Sequence, residues 1–161
     1  AVVYRGMYRA GLVDIHGEFI LEPSVNQLIN FSEGRGLVRD QEYRFYYITE
    51  EADRYRGFYE KATEFQNGVA VIQMNNKWGI INRKGITLVR PKYSRIEDFE
   101  NGYAKVELEG VSGLSDIQGD MIVQPGFEYI SYAGQGLFRV EQGDQIGYFD
   151  QEGNWIWELQ N

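Results

Sequence analysis

The sequence predicts an all-β domain made of tandem repeats, and three observations indicate it. Glycines recur at a spacing of 34 residues, most clearly at Gly34, Gly68, Gly102 and Gly136. Aromatic residues are abundant, with 12 tyrosines and 9 phenylalanines against 3 prolines, and aromatic side chains suit pleated, half-buried strands. Further columns of glycine, proline and phenylalanine keep the same interval. A fixed period of this length is typical of solenoids, propellers and other repeat arrays.

The further columns show where the pattern holds and where it is interrupted. One glycine column closes the predicted turns and consists of Gly17, Gly85, Gly119 and Gly153, with Ala52 in place of a glycine. Another consists of Gly11, Gly79, Gly113 and Gly147, with Tyr46 as the exception. Pro23, Gly57, Pro91 and Pro125 form a further column, and so do Phe31, Phe65 and Phe99. The second repeat is therefore the most divergent one.

The best-defined unit runs from residue 77 to residue 107. Lys77–Asn82 has a strand pattern, and Asn82 followed by Gly85 suits a type I turn that ends in a left-handed residue. Residues 86–89 form the returning strand, which Pro91 closes because proline has no amide hydrogen to donate. Residues 92–100 are predicted to form a short helical turn or an irregular connector, and residues 103–107 a third strand. Each unit is expected to contain three short strands.

The ends of the chain suggest how the units are arranged. The predicted units cover residues 9–42, 43–76, 77–110, 111–144 and 145–161, the last completed by residues 1–5. We expect a single domain in which the N-terminal strand pairs with the C-terminal hairpin and closes a five-unit, propeller-like ring, which leaves no open edge. The alternative is an open β-repeat array or solenoid.

One unit carries a family resemblance. The run KWGIINRKGITLVRPKYSRIEDFENGYAKV, which begins at Lys77, resembles the WG repeat family, whose units read roughly Trp-Gly, turn Gly, apolar strand, Pro, Tyr, Phe and Gly-x-Ala. The other units match more weakly. In them the tryptophan at position 78 is replaced by Ala10, Phe45, Ser112 and Ile146. The resemblance implies bacterial tandem β modules, and it implies an architecture rather than an activity.

Composition excludes several classes of function. A formal net charge of -8 argues against a general nucleic-acid binder, because phosphate binding needs a basic face. No apolar run approaches the roughly 18 residues that a membrane helix needs, so membrane insertion is not expected. Cysteine is absent, and the single histidine, His16, lies in a predicted turn where solvation is its ordinary state. No cofactor and no metal site are expected.

Carboxylates leave two further alternatives. A calcium loop needs several converging oxygens, whereas each Asp-x-x-Gly turn offers one carboxylate, whose ordinary role is to bond its own turn backbone. No motif marks out a carboxylate pair for glycoside hydrolysis, and Glu50, Glu51 and Asp53 read as a solvated charge run. The chain is therefore expected not to be an enzyme, and a carboxylate-dependent hydrolase is the least favoured function.

Residues 43–61 are the candidate binding surface. A position where one repeat differs from the others is not required by the common fold, and this segment concentrates tyrosine and arginine, which are enriched where interfaces carry their binding energy. The alternative is that a decayed unit repacks its core with these aromatic residues. The candidate binding residues are Tyr43, Arg44, Tyr46, Tyr47, Arg54, Tyr55, Arg56 and Tyr59.

The sequence thus favours a non-enzymatic interaction module that binds a protein partner or serves as a subunit of a larger assembly. A lectin-like module that binds polysaccharide through the same aromatic residues is the second hypothesis. Trp155 and Trp157 are expected to seal the last unit, with contact to a partner as the alternative. An envelope or extracellular location is preferred to a cytoplasmic one for this acidic, cysteine-free chain.

Overall fold

A computed structural model describes residues 1–6, 9–25, 27–97 and 102–160. Within those ranges every regular element is a β-strand. The strands form five small sheets, in each of which consecutive strands are hydrogen-bonded neighbours. The predicted all-β architecture of tandem repeats is therefore confirmed. None of the described residues belongs to a helix with the length and hydropathy to cross a membrane.

The chain divides into two compact units, of which the first comprises Ala1–Asn76 and Ile80–Thr87. Sheet A consists of β1 (Val2–Arg5), β2 (Arg9–Val13) and β3 (Phe19–Val25). Sheet B consists of β4 (Gln27–Ser32), β5 (Arg35–Arg39) and β6 (Phe45–Ile48). Sheet C consists of β7 (Lys61–Ala62), β8 (Val69–Met74), β9 (Lys77–Asn82) and β10 (Thr87–Tyr93). Apolar side chains of sheets A and B form one core cluster, and Tyr47 and Phe65 lie in a second.

The second unit comprises Lys77–Gly79 and Leu88–Asn161. Sheet D consists of β11 (Arg95–Ile96), β12 (Tyr103–Leu108), β13 (Val111–Asp116) and β14 (Met121–Phe127). Sheet E consists of β15 (Tyr129–Gly134), β16 (Leu137–Gln142), β17 (Gln145–Phe149) and β18 (Trp155–Gln160). The two sheets share a core cluster that includes Leu114, Val123, Ile130 and Phe138. Burial of such apolar area is the main favourable contribution to folding.

The connector predicted over residues 92–100 is wrong where the structure describes it. Tyr93 ends β10, and Arg95 and Ile96 form β11, which pairs with β12. Tyr93 and Ile96 are both buried, so their spacing of three reflects two strands that meet at Ser94 rather than a helical turn. Phe99 lies outside the described residues. The units 77–110 and 111–144 therefore contain four strands each, not the predicted three.

The predicted pairing of the N-terminal strand with the C-terminal hairpin is not confirmed. β1 pairs with β2, with Val3 opposite Gly11, and β18 pairs with β17. Closing the short link between β1 and β2 costs little chain entropy, so the local hairpin satisfies the amides of β1. Each four-stranded sheet takes two strands from each of two successive predicted units. The single-domain organisation and closure of the ring by the N-terminal strand stay predictions.

The glycine column that includes Gly79 and Gly113 is explained by close approach of two strands. A Cβ atom at Gly113 would lie 2.6 Å from the carbonyl oxygen of Val123 and 2.6 Å from the nitrogen of Pro125. At Gly79 the equivalent distance to the carbonyl oxygen of Val89 would be 2.5 Å. The β13–β14 pairing shifts register on either side of Leu114, next to this contact, which is typical of a β-bulge. Only glycine leaves room for the bulged strand.

Candidate functional site

Sheet B lacks a fourth strand because Tyr46 stands where the column of Gly79 and Gly113 has a glycine. Val38 lies opposite Tyr46, as Val106 lies opposite Gly113 in sheet D, so Tyr46 occupies the position where a side chain meets the returning backbone. Residues 50–60 accordingly form no regular strand and contact β6 through isolated bridges, Phe45 to Tyr59 and Ile48 to Arg54. The segment that departs most from the repeat is therefore an irregular surface segment beside β6.

The turn that leads into β6 is held by one carboxylate. Asp40 accepts hydrogen bonds from the backbone amide of Arg44 at 2.8 Å and from its Nε and Nη2 atoms at 2.9 and 2.7 Å. Burial acts to raise the pKa of Asp40, but the Arg44 hydrogen bonds and charge outweigh it and hold that pKa below its usual range. Residues 40–44 replace the two-residue turn, Glu109 and Gly110, of sheet D. The longer turn shifts Tyr46 by one residue from the strict period.

Two arginines and two aromatic rings form the centre of the candidate site. The guanidinium carbons of Arg44 and Arg54 each lie 3.9 Å from the centroid of the Phe58 ring. Phe58 packs edge-on against Tyr46 with 5.9 Å between ring centroids, and Arg54 also lies 4.8 Å from the Tyr46 centroid. A cation at these distances is attracted by the negative face of the ring. We call Arg44, Tyr46, Arg54 and Phe58 the arginine–aromatic cluster.

The two arginines of the arginine–aromatic cluster differ in their charge partners. Arg44 forms ion pairs with Asp40 at 2.7 Å and Glu42 at 3.2 Å. Arg54 has no carboxylate partner among the residues that the structure describes, and its side chain is exposed. The arginine–aromatic cluster thus presents an exposed cation that lacks a carboxylate partner among the described residues. That arrangement suits an incoming carboxylate, which would gain a charge-assisted hydrogen bond.

Three of the predicted binding residues belong to the core instead. Tyr46, Tyr47 and Tyr59 are buried, and Tyr47 has no accessible surface. The Tyr47 hydroxyl donates a hydrogen bond to the carbonyl oxygen of Thr63 at 2.6 Å, and its ring lies 4.8 Å from that of Phe65. Burial raises the pKa of both Tyr47 and Tyr59. These three tyrosines have a packing role, as the decayed-unit alternative predicts, and they present little or no surface to a partner.

The remaining predicted residues lie at or near the surface. Tyr43 is 65% exposed, and its ring lies 4.6 Å from the guanidinium carbon of Arg39. Tyr55 is half-buried and anchors the irregular segment, because its hydroxyl hydrogen-bonds with Arg35 and donates to the carbonyl oxygen of Arg83. Arg54 and Arg56 are exposed. The structure therefore brings Arg44 and Arg54 together and gives Tyr55 a positioning role.

Phe58 is the member of the cluster that the sequence did not single out. It lies inside the divergent segment, but no spacing rule distinguishes it from its neighbours. Its importance comes from Tyr46, which pushes the returning chain away from β6 and leaves an aromatic ring between two arginines. A large residue at the glycine position followed by a second aromatic residue some ten positions later was the available signal.

A cavity lies within the second unit, between sheets D and E. A cavity of about 280 Å³ is lined by three tyrosines, Phe138, an ion pair and neighbouring residues of sheets D and E. Lys105 and Glu97 form the pair at 2.9 Å, and the Lys105 ammonium lies 4.9 Å from the centroid of Tyr129. The other two tyrosines, Tyr103 and Tyr132, pack on Phe138. Burial, and then the charge of Glu152, raise the pKa of Tyr103.

The turn carboxylates bond their own backbone, as the sequence analysis expects. Asp116 accepts hydrogen bonds from the amides of Gln118 at 2.8 Å and Asp120 at 2.9 Å, and Asp14 and Asp150 make the same two contacts in their turns. Across the described ranges, no three His, Cys, Asp or Glu side chains are grouped so that they could hold a metal ion. His16 lies in the turn of sheet A and is exposed.

Comparison with solved structures gives only distant likenesses. A fragment of HIRA, residues 644–1017, is 12% identical, with 83% of this chain and 49% of that chain covered and a TM-score of 0.41. Hsv2 of Kluyveromyces lactis is 10% identical, with coverages of 93% and 56% and a TM-score of 0.46. BamB of Moraxella catarrhalis is 6% identical, with coverages of 98% and 62% and a TM-score of 0.42. The chain thus spans about half to three fifths of these proteins, and the TM-scores are too low to indicate a function.

Comparison with curated proteins gives no match. The family model described as "WG containing repeat" matches residues 11–42, 59–78, 78–111 and 113–145. The matched segments cover most of the chain and leave out residues 43–58, where Tyr46 displaces the returning strand and the arginine–aromatic cluster forms. The repeat columns, the glycine contacts and this match agree, and the chain belongs to the WG containing repeat family.

Proposed function

We propose that the chain is a non-enzymatic protein-interaction module whose binding surface is formed by Arg44, Arg54 and Phe58 of the arginine–aromatic cluster, with Tyr46 packed beneath them. The observation that supports it most directly is the position of Arg54, which is exposed, lacks a carboxylate partner among the described residues and lies on the Phe58 ring. The cluster also occupies the segment that the common fold does not use. The partner would contribute an acidic segment with an apolar side chain beside it.

The geometry favours a surface contact with a protein over a catalytic reaction. Arginine stays protonated at all ordinary pH values and cannot act as a general base, and Asp40 is held as an ionised partner of Arg44. Aromatic and arginine side chains dominate the energetically important parts of interfaces. Tyr43, exposed beside Arg39, would extend this surface along the turn.

Affinity capture with matched variants tests the proposal. The immobilised chain would be exposed to an extract of its source cells, and retained proteins would be compared between wild type, Arg54→Met and Arg56→Met. A specific partner is expected to be lost with Arg54→Met and kept with Arg56→Met, because the cation–π contacts of Phe58 among the described residues come from Arg44 and Arg54. The purified partner should then bind more weakly at high salt, since exposed charge pairs are screened. Equal retention by both variants would contradict the proposal.

The tyrosine-lined cavity supports a second candidate function, carbohydrate binding. Its volume of about 280 Å³ and its combination of aromatic faces with a Lys105–Glu97 pair suit a single sugar ring. This candidate places the sugar in the second unit rather than on the divergent segment. A glycan array would test it, with Tyr132→Ala expected to abolish binding and Tyr4→Ala, at an exposed tyrosine outside the cavity, expected to leave it unchanged. An array without any bound glycan would remove this candidate.

A further inference from the structure

The cavity between sheets D and E lies where the repeat of sheet E exchanges a large and a small residue. In the repeat of sheet C, Phe65 and Ala70 belong to one buried core cluster, which combines a large ring with a small side chain. The residues two repeats later are Ala133 and Phe138, so the order of large and small is reversed. Phe138 lies on β16, is 3% exposed and lines the cavity. The common repeat therefore does not require a ring at this position.

The three tyrosines that line the cavity are also peculiar to their repeats. The residues one and two repeats before them are Val69 and Arg35 for Tyr103, Arg95 and Lys61 for Tyr129, and Asp98 and Glu64 for Tyr132. None of these six residues is aromatic, so the common fold does not need a ring at any of the three positions. Rings that the fold does not need, gathered around one cavity, indicate a role in binding a ligand.

One end of the cavity already holds an ammonium group against a ring. The Nζ atom of Lys105 lies 4.9 Å from the centroid of the Tyr129 ring and 2.9 Å from a carboxylate oxygen of Glu97. An aromatic face has a negative potential and attracts such a cation. Arg95 also pairs with Glu97, at 3.5 Å, so two cations share one carboxylate. This end of the cavity would repel a further cation.

The other rings meet at Phe138. The centroids of Tyr103 and Tyr132 lie 5.0 and 5.4 Å from the centroid of Phe138. Among the residues that the structure describes, no arginine or lysine lies on any of these three rings. Tyr132 is 40% exposed, so a ligand can reach the rings from its side. A cation from solution can therefore contact aromatic faces that the protein's own cations leave free.

Carboxylates make the surroundings of Tyr103 negative. Glu152 and Asp116 form no ion pair within the described ranges. Burial raises the pKa of Tyr103, and the charges of Glu152 and Asp116 raise it further. A negative potential of this kind favours a cationic ligand over a neutral or anionic ligand of the same shape.

We propose that this cavity binds an organic ammonium cation about the size of one sugar ring, with its charged nitrogen against Tyr103, Tyr132 and Phe138. The volume of about 280 Å³ suits such a ligand. Amino sugars and quaternary alkylammonium compounds such as choline share this chemistry. Where the ligand is an amino sugar, the inference rests on the carbohydrate candidate proposed above and narrows it to cationic sugars.

Ligands matched in shape test the role of the charge. Isothermal titration calorimetry would compare choline with the uncharged alcohol in which carbon replaces the choline nitrogen. It would also compare glucosamine with glucose, at about pH 6, where an amine of this kind is protonated. At least one of the two cations is expected to bind about tenfold more tightly than its neutral counterpart. The pair with the larger preference identifies the ligand as an alkylammonium compound or an amino sugar.

The outcomes separate this inference from the carbohydrate candidate. Equal affinities within both pairs, or no binding of either cation up to about 10 mM, would overturn the ammonium site. Glucose that binds as tightly as glucosamine would at the same time leave the carbohydrate candidate standing. Preferential binding of choline by a chain that binds no glycan would support the ammonium site and remove the carbohydrate candidate.

Variants of Tyr132 test whether an aromatic face holds the nitrogen. Tyr132→Leu removes one ring and is expected to weaken binding of the preferred cation about tenfold, whereas Tyr132→Phe keeps an aromatic face and should retain the affinity. Both variants should unfold near the wild-type temperature, because Tyr132 is 40% exposed. Equal affinities of the leucine and phenylalanine variants would overturn the assignment of the rings.

Variants of two glutamates test the negative potential. Glu152→Gln is expected to weaken binding of the cation several-fold and to leave binding of its neutral counterpart unchanged. Glu158→Gln is the matched control, because it removes the same charge from an exposed residue of β18 that does not line the cavity. Equal effects of the two glutamine variants would place the cation away from Tyr103 and overturn the proposal.

Discussion

The guanidinium carbon of Arg54 lies 3.9 Å from the centroid of the Phe58 ring, on a segment that the common repeat does not need. A double-mutant cycle should detect this contact. Arg54→Met and Phe58→Leu are expected to couple by about 0.5–1 kcal/mol in free energy of unfolding, the range for exposed cation–π pairs. Urea denaturation of the four proteins measures it. Arg56→Met, in the same segment, should show no coupling with Phe58→Leu, and equal coupling for both arginines would contradict the assignment.

The close approach at Gly113 predicts a large effect for a small substitution. Gly113→Ala places a methyl group 2.6 Å from the carbonyl oxygen of Val123, so the strands must separate. We expect the free energy of unfolding to fall by about 1–3 kcal/mol, as for other overpacked sites. Gly126→Ala, in the same sheet, is the control, because its nearest neighbour atom would be 3.8 Å away. Equal unfolding midpoints for the two variants would refute the explanation of the glycine column.

Ala52 predicts a stabilising substitution. It ends the turn of the second repeat with φ of 65°, a left-handed conformation that costs an alanine roughly 1–2 kcal/mol. Ala52→Gly relieves that strain but adds about 0.4–1 kcal/mol of chain entropy to the unfolded state, so a net gain of between zero and about 1.6 kcal/mol is expected. Thermal unfolding measures it. Ala62→Gly in β7, where φ is not positive, should destabilise instead, and a loss of stability at both positions would count against this account.

The Tyr47 hydroxyl predicts a difference between two tyrosines of the divergent segment. Tyr47→Phe removes the donor of the part-buried hydrogen bond to the carbonyl oxygen of Thr63 and should cost about 1 kcal/mol, the net contribution of a typical intramolecular hydrogen bond. Tyr43→Phe, at an exposed ring, should change the free energy of unfolding by less than about 0.5 kcal/mol. Chemical denaturation compares them. Similar losses at both positions would mean that Tyr43 is not a free surface residue.

The carboxylate of Asp40 predicts that the free energy of unfolding depends on pH. The pKa of folded Asp40 lies below its ordinary value of 3.8, so its stabilising contribution is present above that value and is lost as the pH falls through the folded-state pKa. Asp40→Asn should therefore lower the free energy of unfolding at pH 7 and make little difference at about pH 2. Arg44→Met should show the same pH-dependent loss, since it removes the same ion pair, together with a loss at both pH values from the missing contact with Phe58. A penalty for Asp40→Asn that is equal at both pH values would exclude this ionic contribution.

Local features of the fold could be predicted from the sequence, whereas features set by neighbouring strands could not. The turn aspartates Asp14 and Asp116 were predictable because each bonds a backbone only two to four residues away. The strand at Arg95 was missed because two buried residues three apart suit a helical turn as well as two short strands. The face on which Tyr46 or Phe58 lies depends on the returning strand, whose displacement no local pattern reveals.

The order of the strands along the chain has a kinetic consequence. Among the described residues, the paired strands join residues less than one repeat apart, such as Ala10 with Val25 and Ser112 with Phe127. Closing such short loops is rapid, so any sheet with sufficient local stability can form first and offer a template to the next. We expect partly folded molecules that differ in which sheets are complete, with the three-stranded sheets A and B protected from hydrogen exchange later than sheets C, D and E.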